Sequence, residues 1–123
     1  MKIYFGHSRE FDFNEEYYKP IEESEILKNE TLIFPHKNNS NGSNERSFYK
    51  TLDLFIAEVS YKATGLGIEL GYAADDNIPI YCFYKKGTKP SSSIKSVTNN
   101  IIEYSTKEEL VNYIVKIVND LKN

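Results

Sequence analysis

The sequence predicts one α/β domain over residues 1–123, with three layers and a mostly parallel sheet of five strands. Three observations lead to this prediction. Residues 54–59 and 80–84 are apolar runs typical of strands that are buried on both faces, as parallel strands are. A glycine-containing helical segment connects the two runs, and the whole unit has the length of about 30 residues expected of one βαβ unit. Strand and helix patterns then alternate along the chain, which favours helices on both faces of a sheet.

The first half of the chain begins with two predicted strands separated by a helical segment. Residues 2–5 (KIYF) are the first strand, and residues 31–34 (TLIF) are the second. Residues 15–27 carry a helical apolar pattern, and Asn14 is placed to cap it. Pro20 breaks or kinks this helix, so two short helices are an alternative.

The second half starts from a polar loop. Residues 38–44 (NNSNGSN) predict a surface loop that could close over a ligand, and a short helix at 45–51 leads into the third strand. After the fourth strand, residues 85–98 form a connection that contains glycine, proline and serine, and residues 101–104 form the last strand. A C-terminal helix follows, with an apolar stripe of Leu110, Ile114, Ile117 and Leu121.

Composition excludes several functional classes. The chain of 123 residues is 40% apolar and 27% charged, as ordinary globular proteins are. Its net charge of −3 provides no basic field, so we expect no nucleic-acid partner. No apolar run approaches the roughly 20 residues that span a bilayer, and we see no signal peptide, so we expect a cytoplasmic protein with no membrane partner.

The residues that usually hold metals are isolated from one another. His7 and His36 have no cysteine or histidine at metal-ligand spacing, so we predict no metal. Cys82 is the only cysteine and lies in the middle of a strand. We predict that it is a small buried hydrophobic residue rather than a nucleophile.

The glycines between the two central strands do not form a dinucleotide-binding motif. Residues 65–71 (GLGIELG) have the spacing G-x-G-x-x-x-G, which is one residue too long, and residues 60–64 separate them from the strand. We therefore expect no NAD and no other cofactor. Instead, Gly67, Gly71 and Ala74 are spaced to form a small-residue face, which predicts close packing of this helix on the sheet.

Glu69 is the candidate reactive group within this segment. The neighbouring Leu66, Leu70 and Ala73 define a buried stripe, so Glu69 is expected to point towards the rim at the strand ends. We place it in the opening turn of the helix, where backbone N–H groups favour an ionised carboxylate by about 0.3–1 kcal/mol. Such a carboxylate can attack or stabilise an electron-poor sugar carbon. An acid that merely stabilises the start of a helix is the alternative.

Other polar residues also follow the ends of strands. Converging serine, arginine and lysine side chains suit a phosphate group, although solvated loops contain them as well. The residues concerned are Ser8, Arg9, His36, Lys37, Glu45, Arg46, Ser91, Ser92, Ser93 and Lys95.

Three segments resemble a known family. Residues 4–6 (YFG), 53–59 (DLFIAEV) and above all 65–73 (GLGIELGYA) are similar to the nucleoside 2-deoxyribosyltransferase superfamily and to its 2′-deoxynucleoside 5′-phosphate N-hydrolase branch. The resemblance implies a flavodoxin-like, Rossmann-like fold and a homodimer or higher homo-oligomer. It also implies cleavage of the N-glycosidic bond of a deoxynucleoside or its 5′-monophosphate.

The resemblance also assigns catalytic roles. The family nucleophile matches Glu69, and the family tyrosine that lies near the sugar matches Tyr4. An aspartate that assists at the base or sugar is replaced here by Glu45, which leaves the general acid open. Transferases tend to carry a further acid at the position of Ala63.

Substrate-binding residues follow in the same way. The phosphate-binding serine of the hydrolases matches Ser8, and the family arginine is offset by one residue to Arg9. A serine donated by the neighbouring subunit falls within Ser91, Ser92 and Ser93. The motif glycines Gly6, Gly65 and Gly67 complete the set of expected substrate-binding residues.

These features favour a hydrolase that acts on a (deoxy)nucleoside 5′-monophosphate and releases the free base and a sugar phosphate. One alternative is a transferase that exchanges bases between deoxynucleosides. Another is a nucleotide-binding or sensing module without turnover, and cleavage of NAD or a related nucleotide is more distant.

Overall fold

The protein contains a parallel five-stranded sheet in a computed structural model that describes residues 1–37 and 44–123. The strand order is β2-β1-β3-β4-β5, and every neighbouring pair is parallel. This is the strand order of the flavodoxin-like doubly wound fold, so the predicted α/β class and five-stranded sheet are confirmed. The strands are β1 (Lys2–His7), β2 (Thr31–Ile33), β3 (Leu54–Glu58), β4 (Ile80–Lys85) and β5 (Ile101–Tyr104).

The helical segment before β2 runs through Pro20 without a break and ends at Glu22, before the predicted end at residue 27. A π-helical turn, Asn14–Tyr18, runs into the short helix α1 (Lys19–Glu22), and Pro20 lies at the start of that helix. Because proline has no N–H to donate and its ring crowds the preceding turn, the change from π-helical to α-helical geometry next to Pro20 accommodates the proline without ending the helix. A 3₁₀ turn, Leu27–Asn29, then leads into β2.

The remaining helices lie close to their predicted places. A 3₁₀ helix, Arg46–Thr51, precedes β3, and the predicted loop at 38–44 lies outside the described residues except for Asn44. Helix α2 (Thr64–Asp75) connects β3 to β4, and helix α3 (Lys107–Lys122) ends the chain. No helix within the two described ranges is both long and apolar enough to cross a membrane.

Two hydrophobic clusters cover the two faces of the sheet. Ile3, Ile56 and Phe83 belong to the cluster under α1 and α3, whereas Tyr4 and Phe55 belong to the cluster under α2. Because side chains alternate along a strand, Tyr4 and Gly6 of β1 both face α2. The α2 cluster also contains Cys82, which is buried as predicted, and burial raises the pKa of its thiol to about 12.

The prediction that α2 packs on the sheet through its glycines is wrong. Gly67 and Gly71 are exposed, and a Cβ atom added at either would meet nothing within 4 Å. The buried residues of α2 are Leu66, Leu70 and Ala73. Since larger apolar side chains bury more surface, the leucine stripe turns towards the sheet and the glycines are turned to solvent.

Candidate active site

A cleft opens beyond the carboxyl ends of β1 and β3. The strand order reverses between these two strands, and doubly wound proteins bind their ligands at such a switch point. The cavity has a volume of about 660 Å³, which lies within the range of small-molecule sites. Residues from four segments line it: Ser8, Arg9, His36, Tyr49, Lys62 and Glu69.

Glu69 projects into this cleft from the second turn of α2. The helix begins at Thr64 and has no acidic residue in its first turn, so the predicted place of Glu69 at the helix start is wrong. Burial raises the pKa of the Glu69 carboxyl, and hydrogen bonds from Tyr4 and Tyr49 act in the opposite direction. The ionised form is therefore stabilised by two phenols and not by the helix terminus.

Both phenols donate to the same carboxylate oxygen. The Tyr4 hydroxyl donates to Oε2 of Glu69, and the Tyr49 hydroxyl donates to Oε2 at 3.0 Å. Burial, and then the negative charge of Glu69, raise the pKa of Tyr4 above its usual range and the pKa of Tyr49 to about 12. Both phenols consequently remain protonated at neutral pH and act as donors.

The exit of β1 forms one wall of the cleft. Ser8 is 1% exposed, and its Oγ accepts a hydrogen bond from the Glu10 N–H at 3.1 Å. Because a hydroxyl both accepts and donates, this contact leaves the Ser8 O–H able to donate to a ligand. Arg9 is exposed beside it and also lines the cavity.

A neutral histidine, His7, contacts the backbone of this wall. Burial lowers the pKa of His7 to about 4. The neutral ring can donate from Nδ1 to the Ser8 carbonyl, 2.7 Å away, and accept at Nε2 from the Tyr18 hydroxyl. The Tyr18 hydroxyl in turn accepts from the His36 N–H at 3.0 Å, so the exits of β1 and β2 are connected.

Glu58 is a second buried carboxylate, but it lies at the end of β3 on the opposite face of the sheet from Glu69. It accepts hydrogen bonds from Ser60 N at 2.7 Å and Ser60 Oγ at 2.9 Å, and a third from the Tyr104 hydroxyl. Burial raises the pKa of the Glu58 carboxyl, and these donors oppose it. Its oxygens connect β3 to β5, so we assign it a structural role.

The structure separates the other expected site residues. Glu45 is exposed at the N-cap of the 3₁₀ helix, whereas its neighbour Asn44 lines the cavity with Glu69. Ser91 and Ser93 line a second cavity of about 420 Å³ on the other side of the loop between β3 and α2, and Ser92 is exposed beside them.

The three motif glycines occupy different environments. Gly65 lines the cleft with Glu69, whereas Gly67 lines the second cavity. Gly6 is buried under α2, where a Cβ would approach Phe55 to 2.7 Å and Leu66 to 2.9 Å. Of these three positions, only position 6 therefore requires a glycine for close packing.

Sequence reasoning missed Tyr49, Lys62 and Tyr72. Lys62 stands in the linker between β3 and α2, and its position at a strand end was the available signal. Tyr72 lies three residues after Glu69 in α2, and this helical spacing was the available signal. Tyr49 belongs to a different element, and nothing in its spacing from Glu69 indicates a contact. Within the described ranges, no three or more His, Cys, Asp or Glu side chains converge as a metal ion would require.

The sheet order and the cleft at its switch point define an α/β protein of the flavodoxin-like class. Among solved structures, the chain is similar to the CMP N-glycosidase BcmB of Clostridium botulinum, with a TM-score of 0.62 and 19% identity over 93% of this chain and 98% of that chain. At this identity the likeness shows the fold. No family model and no curated protein matches the sequence.

Proposed function

We propose that this protein is an N-glycosidase that hydrolyses a (deoxy)nucleoside 5′-monophosphate to a free base and a sugar phosphate. The observation that carries the proposal is the pair of phenols on one oxygen of a half-buried carboxylate, Glu69, in the cleft at the strand ends. The likeness to a CMP N-glycosidase supports the substrate class, and so does the resemblance of residues 65–73 to nucleoside 2-deoxyribosyltransferases.

In this proposal Glu69 acts on C1′ of the sugar. Loss of the base leaves positive charge on C1′ and the ring oxygen, and an ionised carboxylate can bond to that carbon or stabilise its charge. Tyr4 and Tyr49 oppose the effect of burial on the Glu69 pKa and so favour the ionised form that this step requires. Burial of the site strengthens its attraction for the developing charge, because few water molecules screen it.

Proton transfer requires a second group. Water must lose a proton and the departing base must gain one, and Glu45 is our candidate for this step. Its side chain is exposed, but it follows Asn44, which lines the cleft.

The phosphate is proposed to bind at the exit of β1. The Ser8 hydroxyl can donate a hydrogen bond there, and the Arg9 guanidinium adds a charge that suits a phosphate. In a homodimer, a partner serine near Ser92 would approach from the exposed loop that follows β4. We retain the homodimer and the cytoplasmic location as predictions.

The test is a panel of ribo- and deoxyribonucleoside 5′-monophosphates, with released base measured by chromatography. We expect base from one or a few of them, and at least a hundredfold slower release from Glu69→Ala, since removal of a reacting group typically costs that much or more. Glu108→Ala, which changes an exposed glutamate of α3 outside the cleft, is the matched control. Equal rates for Glu69→Ala and wild type would contradict the assignment.

Adding a second free base to the same assay tests the transferase alternative, because a transferase makes a new nucleoside whereas a hydrolase leaves the sugar phosphate. The exposed position of Glu45 favours a second candidate, a nucleotide-binding module without turnover. Thermal stabilisation by nucleotides without any released base would support that module and contradict the hydrolase.

A further inference from the structure

We propose that Tyr49 is a positioning residue for Glu69: its hydroxyl fixes which carboxylate oxygen reacts and favours the ionised carboxylate. This inference rests on the proposed function, since it assigns a role within the same cleft. It names a residue that neither the family motifs nor the sequence pattern indicates. The geometry of the carboxylate carries the inference.

The two oxygens of Glu69 have different surroundings. Tyr4 and Tyr49 both donate to Oε2, and neither donates to Oε1. A carboxylate oxygen accepts about two good hydrogen bonds, so Oε2 is saturated by the two phenols. Oε1 then holds the lone pairs that are free for the sugar, and rotation of the carboxylate is restrained because it would break both bonds.

Tyr49 itself is held in place by its burial. It is 2% exposed and packs edge-on against the Tyr4 ring, with the ring centroids 5.8 Å apart. The Asn44 side chain is hydrogen-bonded to Tyr49 and lowers the pKa of the phenol, against the effects of burial and of Glu69 that raise it. A chain of polar contacts therefore leads from Asn44 through Tyr49 to Glu69.

An ion-pair clamp fixes the 3₁₀ helix that carries Tyr49. Arg46 donates to Asp76 and Asp75 at 2.7 Å each, at the C-terminal end of α2. Its guanidinium lies over the Tyr72 ring, 4.7 Å from the centroid, and the Tyr72 ring lies 5.5 Å from that of Tyr49. The phenol of Tyr49 and the carboxylate of Glu69 are thus both held against the same helix, α2.

The electrostatic consequence has a definite sign. Burial raises the pKa of the Glu69 carboxyl, and the Tyr49 hydrogen bond lowers it. Removal of the hydroxyl in Tyr49→Phe therefore raises that pKa further. Because the reaction needs the ionised form, the acid limb of the pH–rate profile moves to higher pH. On that limb we expect base release to fall about tenfold, the effect of one charge-assisted hydrogen bond.

The experiment compares Tyr49→Phe with Tyr113→Phe, a tyrosine of α3 that is 38% exposed. Two quantities are measured on the full chain: the pH–rate profile of base release, and the pKa of the Glu69 carboxyl by ¹³C NMR without substrate. We expect Tyr49→Phe to shift both to higher pH and Tyr113→Phe to shift neither. The NMR measurement tests the role of Tyr49 even if no nucleotide is cleaved, so failure of the two proposals can be told apart.

Two results would overturn the inference. One is a Glu69 pKa in Tyr49→Phe that equals or lies below the wild-type value. The other is an equal loss of rate at every pH, which would indicate a purely structural role. Thermal unfolding of both variants checks that the fold is retained. A third variant, Tyr49→Leu, removes the ring and the hydroxyl together and must also raise the pKa of the Glu69 carboxyl.

Discussion

Gly6→Ala and Gly71→Ala make the same chemical change and are expected to alter stability in opposite directions. Gly6 lies in the middle of the sheet, beneath α2. A methyl group there would approach Cε1 of Phe55 to 2.7 Å and Cδ1 of Leu66 to 2.9 Å. Phe55 is 0% exposed and its ring lies 4.9 Å from that of Tyr4, so it cannot move without displacing a phenol that holds Glu69.

The magnitude follows from packing. Inserting a methyl group into a filled core costs about 1–3 kcal/mol of unfolding free energy. For a chain of 123 residues this lowers Tm by about 4 °C per kcal/mol. Gly71 lies on the exposed side of α2, where an added Cβ meets nothing within 4 Å. Alanine there favours the helix by about 0.5–1 kcal/mol, so Tm rises by a few degrees.

Urea and thermal unfolding followed by far-UV circular dichroism measure both effects. We expect an unchanged m value, a lower midpoint for Gly6→Ala and a higher midpoint for Gly71→Ala. We also expect Gly6→Ala to slow base release, because Tyr4 is displaced together with Phe55. A Gly6→Ala midpoint equal to or above that of Gly71→Ala would refute the placement of these two glycines.

Three further predictions concern titratable groups. His7 has a folded pKa of about 4, below its unfolded value, so stability should fall by up to about 3 kcal/mol as pH decreases from 6.5 to 4, and His7→Phe should flatten that slope. Glu69 has a raised folded pKa, so its contribution is full at low pH and is lost as pH rises. Glu69→Gln should therefore be more stable than wild type at pH 8 and similar to it at pH 4, by urea titration. Cys82 is buried and its thiol has a pKa of about 12, so iodoacetamide should modify it only after unfolding, as judged by mass spectrometry; rapid modification of the native protein would contradict this.

The sheet could be predicted because its signals are local. Apolar runs bounded by breakers locate β3 and β4, and the last strand, Ile101–Tyr104, is predicted to the residue. The segment around Pro20 is harder because a single proline allows either a kink or a break, and only the packing of Tyr17 and Ile21 into the core decides between them. Strand order likewise depends on contacts between distant parts of the chain.

The position of the cleft in the fold, and the presence of Glu69 in it, could be predicted from the sequence. Parallel strands bring their carboxyl ends together, which is enough to place Ser8, Arg9 and Glu69 near one cleft. The hydrogen bond from the Tyr49 phenol to Glu69 was not predictable, because the hydroxyl reaches Glu69 only when the 3₁₀ helix packs on α2. Hydrophobic periodicity indicates which face of a helix or strand is buried, but it does not indicate which group the polar end of a side chain contacts.

The placement of Glu69 explains why the carboxylate needs the phenols. At the first turn of α2 it would be stabilised by backbone N–H groups but open to water. In the second turn it adjoins Leu70, which belongs to the stripe buried against the sheet, and so its carboxylate is half-buried. Burial there raises the pKa of Glu69 and would favour the neutral form. Tyr4 and Tyr49 reverse part of that effect through hydrogen bonds to a single oxygen, which favours the ionised form of a buried acid. In the proposed reaction, the same burial that destabilises the charge in the free protein would strengthen its attraction for a developing positive charge on the sugar.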